Sequence, residues 1–197
     1  MATKKSADAV IDIPELQIKT AMITLSGTNP LIVHRFSEKA RKEMLDKQMG
    51  AAKQKKAFKN PEQDYFDSLY LLPDGTPGFP AVAFKAAAVN AANDAGIQKV
   101  LARRAFHITG GELVPIRGEH RMREDMVRIA MGTADVRHRA EFPEWEVTVP
   151  VTYNASIISL EQLVNLFNIA GFGVGVGEWR PERNGINGTW LVKEVIG

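Results

Sequence analysis

Residues 145–170 read WEVTVPVTYNASIISLEQLVNLFNIA and decide the fold class of this chain. The first nine alternate so that Trp145, Val149 and Tyr153 share one face, which is typical of a half-buried strand. Pro150 lacks an N–H group, so we expect it at a sheet edge or at a bulge. The stretch therefore predicts a strand followed directly by a helix.

The second half of this stretch carries the strongest helix signal in the sequence. Ser159 and Gln162 have the spacing of a capping box, which places the start of the helix there. Gly171 is expected to end the helix. An apolar stripe for the core follows the i, i+3, i+4, i+7 spacing, with Leu160, Leu163, Val164 and Phe167.

Further elements flank this pair. A run of short-side-chain residues predicts a helix over 81–95. Two hairpins are expected, one turning at Pro73-Asp74-Gly75 and one around Gly132. The other predicted strands are 18–25, 105–116 with a break at Gly110-Gly111, and 189–195. A short apolar run at 31–33 is expected to extend the same sheet.

Without the hairpins, the elements run strand, helix, strand, strand, helix, strand. This order predicts an α+β fold with a ferredoxin-like, RRM-like βαββαβ core, a finger-like insertion and extra β-hairpins. The chain has 197 residues, enough for one such domain over 14–197 with an insertion at 35–64. Residues 1–13 are expected to form a disordered leader.

Composition excludes several kinds of chemistry. The chain has no cysteine, so disulfides, thiolate metal sites and cysteine nucleophiles are ruled out. Its four histidines form no HxxxH or HExxH pair, and we expect neither a metal nor a cofactor. No apolar run is long enough to span a bilayer. The expected location is cytoplasmic, in a prokaryotic or virus-infected cell, without a membrane partner.

Positive charge is concentrated in one segment, although the formal net charge is only +2. We call residues 35–59 the basic finger, where nine cations face three carboxylates. Clustered cations of this kind attract a phosphate backbone, whereas the plainer alternative is a solvated helix face. The nine cations are Arg35, Lys39, Arg41, Lys42, Lys47, Lys53, Lys55, Lys56 and Lys59.

Two further segments are candidates for anion binding. The first is residues 171–188, which we call the glycine segment. It has six glycines, among them Gly173, Gly175 and Gly177, and it also contains Arg180 and Arg183. Consecutive free N–H groups in such a segment can cup an anion, although glycines can also simply avoid clashes. The second segment is a predicted strand on which Arg137 and Arg139 share a face. Its alternative role is ion pairing with nearby acidic residues.

A family resemblance connects these pieces. The first hairpin and the helix start FPAVAFKA, residues 79–86, resemble the Ile-Pro-Gly-Ser-Ser-Leu-Lys-Gly segment of the RAMP superfamily, with Pro80 and Lys85 as strict matches. That superfamily includes the backbone subunits of CRISPR effector complexes and guide-processing endoribonucleases. The glycine segment before the last strand and the run Asn29-Pro30-Leu31-Ile32-Val33 are similar to the same group.

The resemblance implies a non-catalytic protein that binds the backbone of single-stranded RNA or DNA and oligomerises along it, with copies of itself or other ribonucleoprotein subunits as partners. It also implies that Lys85, Arg180 and Arg183 contact phosphates. One alternative is an endoribonuclease that uses His34 or His138 as acid or base. Another is a phage structural or single-stranded DNA-binding protein. The predicted contacts are Arg35, Lys39, Arg41, Lys42, Lys53, Lys55, Lys56, Lys59, Lys85, Arg137, Arg139, Arg180, Arg183, Gly173, Gly175 and Gly177.

Overall fold

A seven-stranded antiparallel sheet lies at the centre of the structure, a computed structural model that describes residues 15–36, 38–50, 58–129 and 132–197. Its strands follow the order β10-β1-β9-β6-β4-β3, and β5 also pairs with β9. The predicted leader lies outside the described residues. The strands are β1 (Ile18–Gly27), β3 (Tyr70–Leu71), β4 (Pro77–Pro80), β5 (Phe106–Ile108), β6 (Leu113–Arg117), β9 (Glu146–Asn154) and β10 (Trp190–Ile196).

The strand predicted at the start of residues 145–170 is confirmed as β9. Strand β1 lies along one side of it, and β5 and β6 lie along the other. Its predicted apolar face is buried, since Val149 is fully inaccessible and Tyr153 nearly so. Pro150 lies in a central strand, at the break between β5 and β6. Its missing N–H therefore falls where the ladder is already interrupted by Gly110-Gly111.

Two helices pack against each other over the buried face of this sheet, α3 (Ala81–Ala91) and α5 (Leu160–Gly173). The capping box of Ser159 and Gln162 is present at the start of α5. Gly171 does not end the helix as expected, because α5 runs on to Gly173. A Cβ at Gly171 would lie 2.2 Å from the carbonyl oxygen of Trp190, so this glycine allows α5 to cross β10 closely.

A second, three-stranded sheet has the order β2-β8-β7, formed by β2 (Leu31–Val33), β7 (Arg121–Ile129) and β8 (Thr133–Phe142). The long β7–β8 hairpin confirms the turn predicted around Gly132. The expectation that residues 31–33 extend the main sheet is wrong, because Leu31 pairs with Phe142 of β8 instead.

Three short helices complete the described elements: α1 (Glu38–Gln48), α2 (Pro61–Asp67) and α4 (Lys99–Ala105), with a 3-10 turn at Pro181–Arg183. The first predicted hairpin is present as β3–β4. Helix α4 was not predicted from sequence. The described elements are mixed α+β with antiparallel sheets, which confirms the predicted class at that level.

Candidate functional site

Two adjacent clefts flank the start of α3 and share Tyr70 and Pro80 in their walls. The larger has a volume of about 730 Å³, and we call it the basic cleft. The smaller, of about 350 Å³, is called the alanine cleft. The polar side chains of the basic cleft are Arg35, Tyr70, Lys85, His107 and Glu112; those of the alanine cleft are His34, Tyr70, Asn90, Glu178, Arg180 and Glu182.

Lys85 is the central cation of the basic cleft. Its Nζ lies 3.0 Å from Nδ1 of His107 and 5.8 Å from the centre of the Phe106 ring. Burial, followed by the positive charge of Arg103, lowers the pKa of the Lys85 ammonium. Such crowding of positive charge favours an incoming anion, because an anion relieves the repulsion.

Arg35, two residues after the end of β2, also lines this cleft. Burial raises the pKa of the Tyr70 hydroxyl, and the positive charge of Arg35 opposes that shift. Glu112 is the one carboxylate among the described residues that line the cleft. Two cations, Lys85 and Arg35, thus line the cleft together with one carboxylate.

The alanine cleft has a different electrostatic character. Its floor includes Ala83 and Ala87 of α3. The guanidinium of Arg180 is held by the carboxylate of Glu182 at 2.7 and 3.0 Å and by the carbonyl oxygen of Gly177 at 3.1 Å. The amide of Asn90 donates to the same carboxylate at 2.9 Å. Arg180 is thus already neutralised, unlike Lys85.

His34 and Glu178 form the other polar wall of the alanine cleft. Nδ1 of His34 lies 3.4 Å from a carboxylate oxygen of Glu178. This contact with His34 lowers the pKa of Glu178, burial opposes it, and the charge of Arg139 adds to the lowering. The carboxylate orients the imidazole, which is the arrangement that a general acid or base requires.

The glycine segment does not supply an anion-binding row of amides. The N–H groups of Gly175, Val176 and Glu178 donate to the carbonyl oxygens of Ala170, Gly188 and Ile32, respectively. A Cβ at Gly177, where φ is 77°, would lie 2.5 Å from the Ile32 oxygen. These three amides are therefore engaged within the fold and not free to cup an anion, contrary to the prediction, because the segment is docked on β2. Gly175 and Gly177 line the alanine cleft, whereas Gly173 and Arg183 line neither cleft.

Four arginines of the β7–β8 hairpin are held in ion pairs: Arg121, Arg123, Arg137 and Arg139. Arg139 is buried, with Asp125 at 3.5 Å and Glu178 at 4.0 Å, so its prediction as a surface contact is wrong. Arg137 is half-buried and lies 3.7 Å from Asp135. Glu141 accepts hydrogen bonds from Arg121 and Arg123, both at 2.7 Å. Pairing with acidic residues, the alternative from sequence, thus describes this hairpin.

Among the described residues of the basic finger, Arg35 lines the basic cleft and the others line neither cleft. Arg41 and Lys42 are exposed on α1. Lys59 is paired with the Asp135 carboxylate. Its ammonium group also donates a hydrogen bond of 2.8 Å to the carbonyl oxygen of Val136 on β8. Lys53, Lys55, Lys56 and the side chain of Lys39 lie outside the described residues.

On the sheet face that carries Thr20 and Thr152, strands β1 and β9 offer hydroxyl groups. Thr20 bonds to Thr152, and Thr24 bonds to Thr148, at 3.2 and 3.1 Å. RNA-recognition motifs stack bases on sheet aromatics. The described strands β1 and β9 present no ring on this face, so the clefts beside α3 are the better candidate site.

The structure therefore brings together Lys85 and Arg35 in one cleft and His34, Arg180, Gly175 and Gly177 in the next. His107, Asn90 and Arg103 were missed from sequence. Arg103 lies in the basic run KVLARRAF and His107 follows it, but this run was not predicted to be a helix. In the described part of the chain, no three His, Asp or Glu side chains are grouped to hold a metal ion.

No protein-family model matches this chain, and no curated protein is similar to it at a significant level. Among the residues described, no helix combines the length and apolar character needed to cross a membrane.

Proposed function

We propose that the protein is a non-catalytic binder of single-stranded RNA or DNA that grips the sugar-phosphate backbone in the basic cleft. The main support for this proposal is that Lys85, His107 and Arg35 line one cleft. Its described lining residues include a single carboxylate. Exposed Arg103 adds positive charge beside it. Phosphates are the polyanionic ligand that such a concentration of cations suits.

The strand order supports the predicted ferredoxin-like fold, on which this proposal partly depends. The order β10-β1-β9-β6 corresponds to fourth, first, third and second strand once the hairpins are set aside. Helices α3 and α5 connect the first to the second and the third to the fourth of these strands. The start of the first of these helices, α3, lines the basic cleft together with Arg35, which follows β2 of the second sheet.

The resemblance of residues 79–86 to the RAMP superfamily supports assembly of several copies along one strand. Oligonucleotides of increasing length test this part of the proposal. The mass of the complex, measured by light scattering, should rise by one protomer at regular increments of strand length. A constant one-to-one complex at all lengths contradicts assembly and leaves backbone binding intact.

Salt dependence tests the binding itself. If each copy neutralises about three phosphates, affinity for a single strand falls roughly 15- to 20-fold between about 50 and 200 mM salt. Fluorescence anisotropy of a labelled oligonucleotide measures this change. A flat response, or no binding at low salt, would favour the phage structural protein instead.

RNA cleavage is a second candidate function, favoured by the contact between His34 and Glu178 in the alanine cleft. A histidine oriented by a carboxylate can take a proton from a 2′-hydroxyl. Incubation with labelled RNA and with the matching DNA tests this candidate. Cleavage of RNA alone that disappears in His34→Ala establishes it, and intact RNA excludes it.

A further inference from the structure

The alanine cleft lies beside the basic cleft but is unsuited to a second phosphate. The lining holds two carboxylates, Glu178 and Glu182, and one guanidinium, Arg180, which Glu182 already binds. A phosphate placed here would face two carboxylates. The ligand of this cleft must therefore be close to neutral.

The lining of the alanine cleft combines small apolar side chains with polar ones. Ala83 and Ala87 on α3 and Val174 and Val176 of the glycine segment supply the apolar part. Small side chains leave the slot open, because larger ones at these positions would fill it. Asn90 and Arg180 already donate to Glu182, whereas the oxygens of Glu178 and Glu182 can each accept a further hydrogen bond.

We propose that the alanine cleft receives one nucleobase of the bound strand, and that it favours a base carrying an exocyclic amino group. This inference rests on the proposed function, since Tyr70 and Pro80 border both clefts and would lie between the phosphate and its base. Carboxylates accept hydrogen bonds from amino groups, such as N4 of cytosine. The carbonyl at the same position of thymine or uracil would instead face a carboxylate.

The test compares three single strands of equal length: oligo-dC, oligo-dT and an abasic strand with the same backbone. We expect wild-type protein to bind oligo-dC about fivefold tighter than oligo-dT, and the abasic strand more weakly than either. Each measurement is repeated at two salt concentrations, so that the backbone contribution is known separately.

Filling the cleft should remove the base contribution alone. Ala86 is an exposed residue of α3 that lines the cleft, so Ala86→Leu narrows it without burying new polar groups. We expect Ala86→Leu to bind all three strands with the affinity of the abasic strand. Ala86→Ser keeps the space, and Ala134→Leu places the same leucine on exposed β8; both should behave as wild type. Asn90→Leu is a second filling variant should Ala86→Leu unfold.

Two results would overturn the inference in different ways. Equal affinity of wild-type protein for all three strands, with the expected salt dependence, refutes the base site and leaves backbone binding standing. Absence of salt-dependent binding to every strand refutes the proposed function and the base site together.

Discussion

The ammonium group of Lys85 donates a hydrogen bond to Nδ1 of His107 across 3.0 Å, which joins helix α3 to strand β5. An ammonium group carries three hydrogens, so this contact leaves two of them for a ligand. The contact fixes the direction of the cation without neutralising it. This distinguishes Lys85 from Arg180, whose guanidinium is held by Glu182.

Lys85→Gln should weaken binding to single strands roughly tenfold at low salt, because one charge-assisted contact is lost. The salt slope should also become shallower by about 0.7, which corresponds to one phosphate. Anisotropy titrations at several salt concentrations measure both quantities. Lys19→Gln, at an exposed position of β1, is the matched control and should leave affinity and slope unchanged. An equal loss in both variants would mean that charge anywhere on the surface suffices.

Gly177→Ala should destabilise the fold by about 2 kcal/mol or more, since the residue has φ of 77° and the new Cβ would meet the Ile32 oxygen at 2.5 Å. Thermal or urea unfolding measures the change. Gly173→Ala is the control within the same segment, because it ends α5 with open space around it and should be neutral or slightly stabilising. Similar losses in both variants would show that the segment is not docked on β2 through Gly177.

The sequence was a good guide where a local period sets the structure. Alternation placed Ile23 and Val149 on buried faces, and the capping box located the start of α5. Lys85, which lines the basic cleft, was singled out through the family resemblance of the short segment 79–86. These features depend on neighbours only a few residues away.

The sequence was a poor guide where distant residues decide the outcome. Whether the amides near Gly177 are free depends on β2, about 140 residues earlier in the chain, and no local pattern carries that information. Arg137 and Arg139 have the same strand period, yet only Arg139 is covered, because burial increases toward the base of the hairpin. Helix α4 is short and begins without a side-chain cap, so its signal was weak.

Arg139→Ala should lower the free energy of unfolding by about 2 kcal/mol, because it removes a buried cation from between Asp125 and Glu178. The exposure of Glu178 keeps the loss below that of a fully buried pair. Arg137→Ala, two residues away on the same strand, has a side chain that is 37% exposed and should cost less than about 0.5 kcal/mol. Urea unfolding of the two variants measures the difference. Equal losses would indicate that Arg139 acts only as a surface charge.

Glu178→Gln should reduce the loss of folding stability that occurs when the pH is lowered into the acidic range. The contact with His34 holds the pKa of Glu178 below its ordinary value of 4.5. A carboxylate with a lowered folded-state pKa stabilises the protein above the unfolded-state value, and this contribution disappears as the pH falls through the folded-state pKa. The variant should therefore be less stable at neutral pH and lose less stability on acidification. Urea unfolding from neutral pH to below pH 4.5 follows the two curves, and His34→Ala should flatten the curve in part. If the curves of wild type and Glu178→Gln run parallel, the contact between His34 and Glu178 contributes nothing to folding.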